Sequence, residues 1–525
     1  MTVVSVHWFR LDLRLHDNPA LLASIKDCDK FIAVFINDDF TGGLRGAGYN
    51  RAQFLTQALN DLNDQIRAVG GYLHILKGQP SEIFRSLHAE VGITRISFEQ
   101  ESEAIWQDRD DAVRQVAAEL GIELLEEVSH TLWNPFDVLA ANGDTPPLTY
   151  DMFLQVTSCL REPDHPVPNP EWDDVLFAEI TEHLATRLKL YNGVPTPEQL
   201  GYFPEGKEEM QYLGGETHAL NLLKRRLSID EEAFMDSFIP TELINPDLLA
   251  PPMSMIPAIS IGCLSVRKFY WDIQDVYFKL YGGSSPTINI LIAEVIWREF
   301  FICSSIHNPN FDKIEGNPVC IPIPWQSNNK LLSAWRDGRT GYPFIDACMR
   351  QLRKEGYMHH ACRAAVACFL TSGDLFISWE EGQRVFSKYL IDVEWSPCAG
   401  SWMLLSSSAF DNQLDSSICC PVNYGRRLDP TGDYIRRYVP ELSSLPKDYL
   451  FEPWLAPLSI QENNACLLGT DYPHRIIMHK VASKQNNKIL SHISQDMSDF
   501  EVDYPDPLLH PFFLCLPQSC YHNVL

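Results

Sequence analysis

Between residues 3 and 133 five short apolar runs, at 3–9, 31–36, 72–76, 93–98 and 122–125, alternate with stretches of helical spacing. Parallel strands need a long crossover, which a helix supplies, so this alternation predicts βαβ units and a parallel sheet. Between residues 50 and 70, Leu55, Leu59, Leu62, Ile66 and Val69 share one helical face, and Gly70-Gly71 stops the pattern, which predicts a crossover helix.

This α/β domain, residues 1–133, uses a quarter of a 525-residue chain that is 45% hydrophobic and 21% charged, long enough for two or three ordinary cores. From 134 to about 215 the chain turns proline-rich (Pro135, Pro146, Pro147, Pro163, Pro166, Pro168, Pro170), which disfavours both a packed sheet and a long helix; this part reads as an interdomain connector. Residues 216–495 show helical spacing with little β alternation, as at 344–355 and 379–390, and predict a nearly all-helical domain. Residues 496–525 hold Pro505, Pro507, Pro511 and Pro517 around Phe512-Phe513-Leu514 and read as a tail.

The balance of 42 basic and 69 acidic residues, net −27, opposes the long-range field that phosphate binding needs. Two locally basic stretches, Arg336 to Arg363 and Arg426 to Arg437, read as solvated helix faces and internal ion pairs. Fourteen cysteines, scattered from Cys28 to Cys520 without CxxC pairs or a nearby histidine set, indicate free thiols in a reducing compartment and no metal site. No leader pattern opens the chain and no uncharged apolar run reaches the ~18 residues of a membrane span, so a cytoplasmic and nuclear protein is expected.

Architecture alone names no function. The local motifs do more: VHWFRLDLRLHDNPAL from Val6, GYNRAQFL from Gly48 and VSHTLW from Val128 stand in the α/β part. GCLSVRKFYW from Gly262, IWREFF from Ile296, TGYPFIDACMRQL from Thr340 and DYIRRYVPEL from Asp433 stand in the helical part. Together, from residue 3 to about 475, they resemble the photolyase/cryptochrome family. GCLSVRKFYW, SSSAFDNQLDSS and a tail with paired phenylalanines look most like its insect-type, light-sensing cryptochromes.

The resemblance implies an α/β domain joined to a helical domain that binds FAD, the cofactor of blue-light absorption and one-electron chemistry. Carried over position by position, it places Arg226 and Ser254 at the cofactor's phosphates. Glu294, His360, Asp392, Val393 and Glu394 fall around ribose and isoalloxazine, with Arg363 in an ion pair with Asp392. Cys398 falls opposite flavin N5; a thiol is a weak, hard-to-ionise donor, so the reduced ring is expected to stay anionic. Trp402, Trp379 and Trp325 match an electron-transfer chain, Trp402 nearest the flavin and Trp325 nearest the surface. Phe376 stands where insect members often add a fourth tryptophan, so the chain is expected to end at three. Without the family, Arg363 would be a surface arginine, Cys398 a small buried hydrophobe and the tryptophans plain core. Leu213, Ile256 and Ser260-Ile261 depart from the family pattern near the phosphates.

A DNA photolyase on the same scaffold, acting on a flipped-out lesion, is the competing reading, and a light-independent repressor-type cryptochrome is a third. Against repair, the run from His359 to Ala364 lacks the last histidine of an HHxxRH pattern, and Leu404, two places after Trp402, offers no stacking face. Glu294 speaks for repair of cyclobutane dimers. The weight falls on a photoreceptor, not an enzyme, with no productive DNA-repair substrate. Its tail motif Phe512-Phe513-Leu514 is expected to plug the groove in the dark. The resemblance further implies clock partners such as timeless and a ubiquitin-ligase adaptor; it names no antenna pigment.

Overall fold

The structure, a computed structural model, describes residues 2–38, 41–235, 246–282, 292–410 and 420–498. Its five strands are β1 (Val4–Phe9), β2 (Lys30–Asn37), β3 (Leu73–Lys77), β4 (Arg95–Glu99) and β5 (Glu123–Glu127). They form one parallel sheet in the order β3-β2-β1-β4-β5, with Val6 paired to both Ile32 and Ile96. All five expected runs are strands, the last displaced toward the acidic ELLEE stretch. Its glutamates leave β5 half-buried and blunt that edge of the sheet.

The period of two along each strand splits the core. Val4, Val6, Trp8, Ile32, Val34 and Ile36 face the helices Pro80–Val91 and Gln107–Leu120, where Phe84, Leu87 and Val113 meet them. Phe31, Ala33 and Phe35 face Leu55, Leu59 and Leu62 of the helix Tyr49–Ala68, and that core runs on into Ile259, Phe269, Phe300 and Phe301 of the helical part. The expected crossover helix ends where Gly70 adopts φ 88° and the Gly71 amide donates to the Ile66 carbonyl at 3.0 Å.

Residues 134–215 contain only short helices, Pro135–Ala141, Tyr150–Cys159 and Glu182–Arg187. Beyond them the described chain is helical, and it has a second core built on Trp335, Phe344, Met349, Phe369, Trp379, Trp402 and Tyr434. The last described helix, His479–Ser498, crosses the 495/496 limit expected for the tail. Phe512, Phe513 and Leu514 lie outside the described residues, as does the end of SSSAFDNQLDSS. Among the described residues no helix is long and apolar enough to cross a membrane.

The strand order reverses between β1 and β4, and in open α/β sheets the crevice beyond the strand ends at such a point is where other groups enter. Here the helical part enters. Glu216 accepts from the Leu15 amide at 2.7 Å, Arg267 Nη2 meets Asp17 Oδ1 at 2.6 Å, and Gly262, at φ 72°, lies so close to the Leu11 carbonyl that a Cβ would stand 1.7 Å from its oxygen.

Candidate functional site

Four segments of the helical part converge. The helix Ala293–Ser305 is buried along its length except at Glu294: its apolar side chains enter the core, and its charged Arg298 and Glu299 are buried with partners. The helix Trp395–Leu405 crosses it at Gly400, whose missing side chain leaves room for Phe301; a Cβ there would lie 2.2 Å from that ring. The helix His360–Cys368 is capped by His359, which accepts from the Ala361 amide at 3.2 Å, and residues 390–394 run beside it.

Two adjoining cavities lie between these segments, with Ser254, Ile256, Glu294, Tyr357 and His360 in the walls of both. One adds Arg226, Asp230, Met253 and His359; the other adds Trp297, Phe301, Arg363, Phe386, Asp392, Val393, Glu394, Cys398 and Trp402. The second holds about 940 Å³ of non-atom space, its open mouth included. All nine residues expected to hold a cofactor line this pair of cavities.

The expected ion pair is present: Arg363 Nη2 stands 2.6 Å from Asp392 Oδ2, and Arg363 Nε donates to the Met358 carbonyl at 3.0 Å. Burial works against the guanidinium charge, but Asp392 and Tyr357 more than compensate and raise its pKa. His360 Nδ1 lies 3.4 Å from Glu294 Oε1. Burial opposes the Glu294 charge, yet His360, Arg226 and Arg363 hold its pKa below the ordinary value. Burial instead drives His359 well below the usual histidine range, so its ring is neutral. It also pushes the Cys398 thiol up to about 12. Arg226 Nε is engaged by both oxygens of Asp230, one turn along its helix, and Nη1 reaches the Met253 carbonyl beside Ser254 at 3.4 Å.

Glu394 lines the second cavity, and its carboxylate is engaged within the protein. Its carboxylate is taken by Arg298, with Nε at 2.9 and 2.8 Å from the two oxygens, and by His130 Nε2 at 3.0 Å. It braces the wall. Leu404 is 1% exposed and packs in the core with Phe301, off the cavity wall. Trp402 forms part of that wall and belongs to the second core, where Trp379 is fully buried, and Trp325 is half-buried with its ring 4.9 Å from Phe376. The basic stretches pair internally, Arg350 with Glu441, Arg353 with Asp337 and Arg426 with Glu452.

Sequence reasoning passed over Arg298, Tyr357, Asp230 and the aromatic wall of Trp297, Phe301 and Phe386. Arg298 and Phe301 sit inside the IWREFF motif, and Asp230 follows Arg226 at the i+4 spacing of a helical ion pair, so both signals were local. The donor set suits a planar apolar ring system with an anionic arm. Asp392 Oδ1 and Trp402 Nε1 are buried without a partner among the described residues, and the rings of Trp297, Phe301, Tyr357 and Phe386 share that wall.

Residues 5–171 match the DNA photolyase family and residues 291–492 match the FAD binding domain of DNA photolyase. Cryptochrome-1 of Aedes aegypti is 43% identical over 95% of this chain and 94% of its own length. Cryptochrome-1 of Drosophila melanogaster is 44% identical over 92% of each chain, and Cryptochrome-1 of Macaca fascicularis is 43% identical over 95% of this chain and 84% of its own. Among solved structures, a class III photolyase from Agrobacterium tumefaciens aligns with a TM-score of 0.80 at 25% identity, covering 94% of this chain and 98% of that one. A Synechocystis cryptochrome aligns with a TM-score of 0.79 at 25% identity, covering 93% and 99%. With both domain matches in order and cryptochromes aligned along nearly its whole length, the chain belongs to the photolyase/cryptochrome family and carries that family's FAD-binding domain.

Proposed function

We propose that the chain is a blue-light photoreceptor that holds FAD in the paired cavities, relays charge along Trp402, Trp379 and Trp325, and signals to the circadian clock through its C-terminal segment. One observation carries this reading: an oxidisable indole, Trp402, stands on the wall of the aromatic cavity, and the two other indoles of the series occupy the core behind it and its half-exposed margin. FAD, when bound, supplies absorption of blue light and one-electron chemistry. Arg226 and Ser254 are suited to its pyrophosphate, because guanidinium and hydroxyl donors make charge-assisted hydrogen bonds to phosphate. Arg363, Asp392, Cys398 and Trp402 surround the ring. The Cys398 sulfur keeps its proton through the physiological range, being pushed up to about 12, and makes a poor acid. Clock proteins such as timeless, a ubiquitin-ligase adaptor, and residence in cytoplasm and nucleus belong to this reading by family analogy.

A second reading, light-driven DNA repair, draws on Glu294 in the cavity wall and on the likeness to a class III photolyase. Leu404 in the core, Ala364 in place of a second acid/base histidine, and the net charge of −27 weigh against it. One preparation tests both. The purified protein is expected to retain oxidised FAD, to lose its blue absorption band under illumination, and to do so much more slowly after Trp402→Phe; it should leave cyclobutane dimers intact under the same light. Unchanged photoreduction in Trp402→Phe would overturn the relay, and catalytic dimer repair would overturn the receptor.

A further inference from the structure

Two indoles line the aromatic cavity, Trp402 and Trp297, and Trp297 is no member of the relay series. It lies on the helix Ala293–Ser305, one turn after Glu294, and is 3% exposed. The ring of Tyr150 lies flat on it, with centroids 3.9 Å apart and planes 2° from parallel. Aromatic pairs more often meet offset or edge-on, with centroids about 4.5–7 Å apart, so this contact is close as well as parallel.

Tyr150 comes from the proline-rich connector, where it opens the helix Tyr150–Cys159 behind the N-cap Thr149, which accepts from the Met152 amide at 3.1 Å. Ser304 donates to the Pro147 carbonyl at 3.3 Å and so ties this turn to the helix that bears Trp297. Phe300 meets both rings edge-on, Trp297 at 5.7 Å and Tyr150 at 5.9 Å, and fixes the stack from the side. Trp297 is buried and Tyr150 half-buried, so the stack leads from the cavity wall toward solvent.

An indole that loses an electron becomes a cation, and a cation over the face of a tyrosine ring is attracted by the ring's quadrupole. The stack therefore favours a positive charge on Trp297. Burial, and after it Asp151, raises the Tyr150 phenol above its ordinary value, so the hydroxyl keeps its proton through the physiological range. Loss of an electron from Tyr150 is then coupled to loss of that proton, which water at the half-buried edge accepts.

We propose that Trp297 and Tyr150 form a second electron path into the ring cavity, parallel to the one through Trp402; it rests on the photoreceptor reading. Trp297 gives one electron to the photoexcited flavin, Tyr150 gives one to the Trp297 radical cation, and the Tyr150 hydroxyl proton passes to water. The sum is one electron into the cavity, one proton into solvent and a neutral radical on Tyr150. This path carries the slow loss of the blue band that remains in Trp402→Phe.

The purified full chain, with the FAD it retains, is illuminated unmutated, as Trp402→Phe, and as Trp402→Phe with Tyr150→Phe, which keeps the stacked ring and removes only the hydroxyl. At equal FAD content, the residual loss of the blue band is expected to slow about fivefold when Tyr150→Phe is added. In Trp402→Phe that residual loss is expected to slow in deuterium oxide. Frozen under illumination, Trp402→Phe is expected to give a paramagnetic resonance signal that narrows with ring-deuterated tyrosine and vanishes with either Tyr150→Phe or Trp297→Phe. Equal residual rates with and without Tyr150→Phe, a signal that ring deuteration leaves unchanged, or one that survives Trp297→Phe overturns this path and leaves the receptor standing. So does the absence of any residual loss in Trp402→Phe while the unmutated chain bleaches. A chain that retains no FAD overturns both.

Discussion

Arg363 and Asp392 show what a single pair does at the cavity wall. The Asp392 side chain is 1% exposed, its Oδ2 is held by Arg363, and its Oδ1 has no partner among the described residues. Removing the arginine strands a buried carboxylate, whereas replacing both residues by apolar ones leaves nothing stranded. Arg363→Ala is therefore expected to lower the unfolding free energy by about 3–5 kcal/mol in urea melts, and Arg363→Met with Asp392→Leu to recover much of that loss. A single-variant cost below about 1 kcal/mol would mean that the carboxylate rehydrates freely at the cavity mouth. Gly382 is a second single-residue constraint: a Cβ there would lie 2.2 Å from the Trp402 ring, so only glycine lets the helix Trp379–Tyr389 approach that indole.

Among elements, the helix His479–Ser498 docks with few large apolar side chains among the described residues, beside polar anchors from His479 and Asn486. Leu490 is fully buried against Ile323 and Phe376, with Ile489 and Ile493 partly buried alongside and Ala482 buried two turns earlier. Phe376 adopts φ 51°, unusual for a bulky residue, and its ring also packs on Trp325. One strained turn thus touches both Trp325 and the last described helix. Leu490→Ala leaves a cavity worth about 2–5 kcal/mol, so amide exchange within this helix is expected to quicken at least about thirtyfold while the sheet amides keep their rates. Equal acceleration in β1 would show that the helix and the sheet unfold as one cooperative unit.

For the whole molecule, the seam between sheet and helices is held by buried charge as well as by apolar packing. Arg298 binds Glu394, donates to the His130 carbonyl at 2.8 Å and meets Glu299 at 3.3 Å, while Arg14 reaches Glu99 at 3.4 Å behind them. Burial opposes the Glu394 charge, but Arg298 and His130 hold it at about 2. A carboxyl that binds its proton less readily folded than unfolded adds stability above its unfolded value and loses it as pH falls toward the folded one. The unfolding free-energy difference between the unmutated chain and Glu394→Gln is therefore expected to be flat above about pH 5 and to shrink by up to about 3 kcal/mol as pH falls toward 2. A difference independent of pH would remove Glu394 from the seam's acid sensitivity.

What was legible in the sequence is what local periodicity and contiguous motifs encode. Apolar runs marked the strands, Leu55 to Ile66 marked the crossover helix, and Gly70 marked its end, because side-chain direction repeats every two residues in a strand and every 3.6 in a helix. The resemblance, carried over position by position, likewise named residues from Arg226 to Cys398 that do meet around one pair of cavities. Tertiary structure alone decided the pairings between blocks. Glu394 turns to Arg298, 96 positions earlier; Leu404 turns into the core; Asp374 meets His479, 105 positions later. No periodicity reports such pairings, because they depend on how helices cross and on which buried charge finds the nearest opposite one, and both are set only when the sheet and the helical cores close on each other.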